Sequence, residues 1–294
     1  MRLLRSYLFA PGNRQTLLSK VFNAGADAVV LDLEDAVPES EKAQARADVA
    51  AALSRNALPR SSTPAVFVRV NSLESPHWRS DIDSIIGPAV HGVRIPKAES
   101  LDSLCRLNDV LFDREHALGL RSGAIRVVAT IETARGLFQI DSIARSPRVS
   151  GLAFGAADFC ADVSADPEDG TATLFSRSVL VVVSRHRRLP PPIASVFTRL
   201  DDDEGLRADT ERQKRLGFFG RSATHPRQVP IIHAAFDPTP DEVSAARLVV
   251  AAYETAEREG RGALQIGGSF VDLAVVRRAR STVELHEIAE RDRK

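Results

Sequence analysis

Two carboxylates carry the first chemical argument in this 294-residue chain. Glu132 closes the apolar run VVATIE, and Asp158 follows LAFG in the next such unit. If consecutive strands are neighbours, both acids converge on one point, and two carboxylates with water and substrate oxygens suit Mg²⁺. No His or Cys clusters with them, which disfavours zinc. On spacing alone, ion pairs with Arg94, Arg126 or Arg135 fit as well as a metal. Arg69, inside VRVN, is a cation in a strand-like run. It needs a bidentate carboxylate or phosphate ligand, or the acids of the preceding DLED. Those acids (Asp32, Glu34, Asp35) end the run VVLDLEDAV. Asp32 alternates with Leu31 and Leu33, so only some of the set can face a site. Glu34 and Asp35 are expected to support it, holding Arg69 or metal-bound waters. Lys97, after RIP, is a weaker candidate of the same kind. Ser6, Ser178 and Ser269 lack a nucleophile-elbow context, which argues against a serine hydrolase. His225 precedes Pro226 at an expected helix start. His77, His91, His116, His186 and His233 show no partner pattern and are expected at the surface or in packing.

The elements that must position these groups recur along the chain. Short β-type runs at 5–10, 27–33, 65–71, 91–96, 125–132, 149–155, 192–197 and 217–223 each precede a helical pattern. Asn13 is the expected N-cap of the first helix, with Gly25 as its stop. Alternating apolar strands and helices imply a parallel sheet covered on both faces. About eight such units match the count and size of an α/β (β/α)8 TIM-type barrel, whose reactive groups gather at the carboxyl ends of the strands. An open doubly wound sheet is the alternative, lowered by the lack of a G-x-G-x-x-G after a strand. After Phe236 the pattern changes to a helix opened by DPTPDEV, a Gly-punctuated hairpin (GRGALQIGGSFVD) and a charged final helix. The division expected is therefore a barrel over residues 1–236 and a C-terminal helical and hairpin extension over 237–294 that packs outside it or against another subunit.

Lys plus Arg (39) equals Asp plus Glu (39), so no global field argues for nucleic acid or membrane partners. The two cysteines, Cys105 and Cys160, form no ligand-spaced pair, which fits a reducing compartment. The aliphatic run Val179–Val183 is too short to span a bilayer, and MRLLRSYLFAPGN has too little apolar length for a signal peptide. A cytoplasmic protein is expected.

The motifs RSYLFAPGNR, LDLEDAV, VRVN, PKAES, IETARG, FGAADF-AD, ATHPRQV with F-PTPDEV, and G-FVD-AVV-RAR run in order from Arg5 to about Arg280. In this collinear order the chain resembles the citrate lyase β-subunit family within the HpcH/HpaI aldolase superfamily, which includes malyl-CoA lyases. The resemblance implies a TIM-type barrel assembled as a homotrimer or a multiple of it. It also implies a Mg²⁺-dependent carbon–carbon lyase acting on 3-hydroxyacyl-CoA thioesters of citryl, citramalyl or malyl type. A thioesterase on the same scaffold is one alternative. A second is a β subunit that works with an acyl carrier protein inside a multiprotein lyase. A pyruvate-type aldolase without CoA is more distant, because no histidine here fits the base that those relatives use. By motif, Glu132 and Asp158 are the metal ligands, and Arg69 contacts substrate near the reacting oxygens. Asp272 matches an acid that in relatives reaches a neighbouring subunit's site as acid/base. Arg5, Arg14 and Lys97 fall where relatives hold coenzyme A or its thioester end. The chain departs from the usual pattern at GRSATHP (Gly220–Pro226), where Arg221 replaces a lysine. It also departs at Gly268-Ser269-Phe270, and in the Phe154–Val163 loop, which lacks a glycine after its second Asp. These departures bear on substrate fit more than on the metal.

Overall fold

The structure, a computed structural model, describes residues 3–56, 64–167, 169–260 and 262–292. The backbone divides into two compact units, Leu4–His233 and the residues from Ala234 onward with Leu3.

In the first unit, seven of the eight expected runs form strands: β1 (Ser6–Pro11), β2 (Ala28–Asp32), β3 (Ala65–Arg69), β4 (Gly92–Ile95), β5 (Arg126–Ile131), β6 (Val149–Phe154) and β7 (Arg221–Ala223). They pair in parallel as one curled sheet in the order β6-β5-β4-β3-β2-β1-β7. The helices between them are α1 (Gln15–Lys20), α2 (Lys42–Arg55), α3 (Trp78–Ile85), α4 (Leu101–Ala117), α5 (Ala134–Phe138), α6 (Ile140–Ala144), α7 (Ala156–Asp162), α8 (Leu174–His186) and α9 (Asp203–Leu216). α10 (Gln228–Phe236) follows β7. No helix among the described residues is long and apolar enough to cross a membrane.

The run at 192–197 is not a full strand. Ile193 bridges Ala153 and Ala194 bridges Arg221, and pairing stops there. Three prolines, Pro190 to Pro192, enter this segment without N–H donors. Beyond it the Ser195 hydroxyl takes over from the ladder, donating to the Phe154 carbonyl at 2.8 Å and accepting the Ala156 N–H at 3.0 Å. The N-cap expectation for α1 also fails. Asn13 Nδ2 donates to Glu41 instead (2.6 Å), and the helix starts at Gln15 with no side-chain cap.

The two-residue period of the strands sorts the inner face of the sheet into layers. Tyr7, Ala28, Val30, Ala65, Phe67, Val128, Ala153 and Ile193 form an apolar cluster towards the amino ends. Two residues further along β2 and β3, the same face carries Asp32 and Arg69. The inner layer therefore changes from apolar to ionic towards the carboxyl ends.

In the second unit, α11 (Pro240–Arg258) packs against α12 (Leu273–Asp292). Thr239 and Glu242 form a reciprocal capping box with Pro240 in the first turn, as the TPDE sequence favours. The hairpin is β8 (Leu264–Ile266) and β9 (Ser269–Val271), turning on Gly267 and Gly268. Both have positive φ (54° and 83°), which a two-residue hairpin turn of this hand demands. Tyr253, Val271 and Val276 bury together beneath it.

Candidate active site

A cavity of about 290 Å³ opens at the carboxyl ends of the sheet, walled by Asp32, Arg69, Arg94, Thr130, Glu132, Asp158, Ser195 and Ser222 among others. Glu132 follows β5 and is 4% exposed. Its Oε1 accepts the backbone N–H of Lys97 at 2.6 Å. Asp158 stands in the first turn of α7, half-exposed, with Oδ1 3.8 Å from Lys97 Nζ. Gly155 makes this approach possible. A Cβ there would lie 2.2 Å from Glu132 Oε2, so only glycine leaves room for the carboxylate.

Lys97 links both acids to the DLED stretch. Its φ of 45° is left-handed, a conformation that costs a non-glycine residue roughly 1–3 kcal/mol and marks functional sites. That conformation lets one residue present its N–H to Glu132 and its Nζ to Glu34 Oε1 at 3.1 Å.

Arg69 ends β3 in direct register with Asp32 on β2. Its Nε and Nη2 donate to Asp32 Oδ1 and Oδ2 at 2.7 and 2.6 Å, a two-point fork. Nη1 lies 2.8 Å from Glu34 Oε2, an ion pair without hydrogen-bond alignment, and donates to Asp35 at 3.3 Å. Burial opposes the Arg69 charge, but Asp32 outweighs it and holds the guanidinium more strongly protonated than usual. Burial pushes Glu34 up to about 7 against the pull of Arg69, while Asp35 beside it is lowered. Burial, with repulsion from Asp158, raises Glu132 to about 6 against the Lys97 N–H.

Glu132, Asp158, Lys97 and Arg69, with Glu34 and Asp35, therefore lie together in the structure. The emphasis within DLED shifts, however. Asp32, one of the DLED acids offered to Arg69 but not expected to support the site as Glu34 and Asp35 are, is the main partner of Arg69. The alternation of β2 was the available signal, since it places Asp32 on the Val30 face. The alternative ion pairs for Glu132 and Asp158 do not form. Arg126 sits at the amino end of β5, Arg135 pairs with Glu99 at 3.8 Å, and Arg94 has no acid within ion-pair distance among the described residues. Among the described residues no three His, Cys, Asp or Glu side chains converge to enclose a metal. A pair of carboxylates beside an open cavity suits a hard cation that keeps water and substrate oxygens, as Mg²⁺ does.

The remaining candidates lie elsewhere. Arg5 directly precedes β1 at the amino end of the sheet, buried, with its N, Nε and Nη2 all donating to Asp27 at 2.8–3.0 Å. That cluster includes Ser6 and His233, 2.8 Å apart, with Ser6 fully buried and so unable to act as a nucleophile on a substrate. Arg14 is exposed after β1, beside a separate surface hollow with Asp48. Asp272 belongs to the second unit, where its Oδ1 accepts the N–H groups of Ala274 and Val275 at 2.9 and 3.1 Å and caps α12. His225 Nδ1 accepts the Arg227 N–H at 3.2 Å. Arg221 is buried on Asp209 at 2.5 Å.

Residues 5–226 match the HpcH/HpaI aldolase/citrate lyase family. The chain belongs to the HpcH/HpaI aldolase/citrate lyase family. Within this family it is 34% identical over 286 residues to the citrate lyase subunit beta of Leuconostoc mesenteroides subsp. cremoris, covering 97% of this chain and 93% of the relative. It is 30% identical over 306 residues to the L-malyl-CoA/beta-methylmalyl-CoA lyase of Cereibacter sphaeroides, covering 97% and 95%. The crystal structure of CitE from Mycobacterium tuberculosis, in complex with magnesium, acetoacetate and coenzyme A, superposes with a TM-score of 0.78. That match has 26% identity over 96% of this chain and 97% of the other.

Proposed function

We propose that this HpcH/HpaI family member is a Mg²⁺-dependent carbon–carbon lyase. Its substrate would be a 3-hydroxyacyl-CoA thioester of citryl, citramalyl or malyl type, cleaved to acetyl-CoA or another acyl-CoA and an α-keto acid. The observation that carries this reading is the meeting of Glu132 and Asp158 across Lys97 in one cavity, beside an Arg69 held ready by Asp32. Support also comes from the relatives, which include a malyl-CoA lyase and a structure holding magnesium and coenzyme A. Glu132 and Asp158 would hold Mg²⁺, which when bound supplies Lewis-acid polarisation and a template for the hydroxy-acid oxygens.

The chain's own residues do the rest. Cleavage needs the hydroxyl proton removed and the enolate of the departing acyl thioester stabilised. Arg69, oriented by Asp32 and Glu34, donates to the thioester oxygen as charge develops there. A fixed donor of this kind contributes about 10²–10³-fold in rate. Lys97 keeps Glu132 placed and offsets its charge. Asp272 from a neighbouring subunit would move the proton between hydroxyl and enolate carbon. The fold reading that goes with this is a (β/α)8 barrel completed by the Ile193–Ala194 bridges, with the extension from residue 237 forming subunit contacts in a cytoplasmic homotrimer or a multiple of it. Exposed Phe270 on the hairpin, with Leu273 and Val275, supports such a contact.

Incubation of the protein and Mg²⁺ with malyl, citramalyl and citryl thioesters, with products read by mass, tests the reaction. Acetyl-CoA plus keto acid supports the lyase. Free CoA plus intact hydroxy acid would make it a thioesterase. Turnover that appears only with an acyl carrier protein would favour a β subunit, a second reading that rests on the likeness to citrate lyase subunit beta.

A further inference from the structure

The cavity contains a cation that the lyase reading leaves unused. Arg94 lies on β4 beside Arg69, in direct register with it, and is 5% exposed. Unlike Arg69, it makes its hydrogen bonds and ring contact only with neutral groups. Nε donates to Thr130 Oγ1 at 3.2 Å, Nη1 donates to Ser222 Oγ at 2.9 Å, and Cζ lies 5.1 Å from the centre of the Phe9 ring. Nη2 has no hydrogen-bond partner among the described residues. Thr130 and Ser222 also line the cavity, so they fix the guanidinium plane against its wall.

A buried charge with no acid at contact distance is costly, and two guanidiniums in one rung repel each other. Burial, then the neighbouring Arg69, lower Arg94 to about 10 against the more distant pull of Glu132 and Asp32, which still leaves it charged at neutral pH. Hydroxyls and an aromatic ring orient such a group but do not neutralise it. Asp32 is already forked to Arg69 and Glu132 is assigned to the cation, so what pairs with Arg94 at contact distance is an anion arriving in the cavity, and a planar fork selects a carboxylate.

We propose that Arg94 is a specificity-determining residue that reads a second carboxylate on the acyl group of the thioester. This rests on the lyase reading of the same cavity. The hydroxyl and first carboxylate of the substrate belong to the Glu132–Asp158 side. A second carboxylate, one methylene from the carbinol carbon, pairs with Arg94, and the keto acid released is a dicarboxylate. Among the thioester types above this selects the citryl type. Citramalyl, with methyl in place of CH₂COO⁻, leaves the guanidinium unpaired.

The matched pair of citryl-CoA and citramalyl-CoA tests this directly. A charge-assisted pair predicts a kcat/KM preference for citryl on the order of 10–100-fold in the wild-type protein. Arg94→Met should bring the ratio close to one, and Arg94→Lys should restore part of it. A second readout needs no turnover. In calorimetric titrations with Mg²⁺ present, malate should bind more tightly than lactate by a similar factor, and Arg94→Met should abolish the difference. Equal wild-type rates on the two thioesters, or a ratio untouched in a folded Arg94→Met protein, would overturn the role of Arg94 while the lyase stands. Preferential malate binding that depends on Arg94, without turnover of any thioester, would remove the lyase and keep the carboxylate site. The wild-type comparisons decide the matter even if Arg94→Met does not fold.

Discussion

Arg69 shows how one buried cation is made useful. Asp32 grips it with two hydrogen bonds, while Glu34 and Asp35 attend the outer nitrogen. Asp32→Asn keeps the shape but removes the charge facing a largely buried guanidinium. Breaking such a pair should cost about 3 kcal/mol, the lower part of the usual range because Glu34 and Asp35 remain. Urea denaturation measures it, and a loss within 0.5 kcal/mol or so would show that Asp32 is not the principal partner. Glu132 makes a prediction with pH. Burial raises it to about 6, and it must be ionised to hold a cation. Mg²⁺ affinity read by calorimetry should therefore fall roughly tenfold per pH unit below about 6 and level off above it. In the metal-free protein the sign of the stability effect is opposite to that of an ordinary carboxylate. The folded state binds the proton more tightly, so the Glu132 contribution improves as pH falls from above 6 towards the ordinary value of 4.5. Glu132→Gln should flatten both dependences.

At the scale of elements, the site depends on where strands stop. The β6–α7 turn passes so close to Glu132 that Gly155→Ala would place a methyl on its carboxylate. Because the turn is also held by Ser195 through Ala156 and Phe154, it cannot move away freely. Gly155→Ala should weaken Mg²⁺ binding by tenfold or more, as expected of a change in the support of a metal ligand. Circular dichroism should show the fold retained, and unchanged Mg²⁺ affinity would mean the turn yields instead. At the same scale lies the one expected strand that did not form. Its apolar pattern, PIASVF, reads like its neighbours, but a run of prolines and a serine that bonds to the β6 backbone take its place in the ladder. Such competition between side chain and strand depends on which backbone lies alongside, and that is not a local property of the segment.

At the scale of the whole molecule, the proposed role of Asp272 in a neighbouring subunit predicts complementation. Glu132→Gln and Asp272→Asn proteins, each inactive alone, should regain activity when unfolded together and refolded as mixed oligomers. About a quarter of the sites then combine an intact Glu132 with an intact neighbouring Asp272. Light scattering should give a trimer or a multiple of it. A monomer, or no regain on mixing, would confine Asp272 to capping α12, the contact it makes in its own chain. The alternation of strands and helices, the carboxyl-end acids and the collinear motifs were legible in the sequence because they are local patterns or ordered ones. Glu132, Asp158, Lys97 and Arg69 each follow or interrupt an apolar run, which brings them forward as candidates, and the collinear motifs are what suggest their roles. The commitment of Arg5 to Asp27, the choice of Asp32 over its two acidic neighbours, and the unpaired charge on Arg94 were not legible. Each depends on the register between strands and on which side chains a curled sheet turns towards one another. The sequence by itself thus determined the repeat, the polarity of each strand end and the family. Only the tertiary structure decided which charges neutralise each other and which one is left facing the cavity, because that balance is set across strands rather than along them.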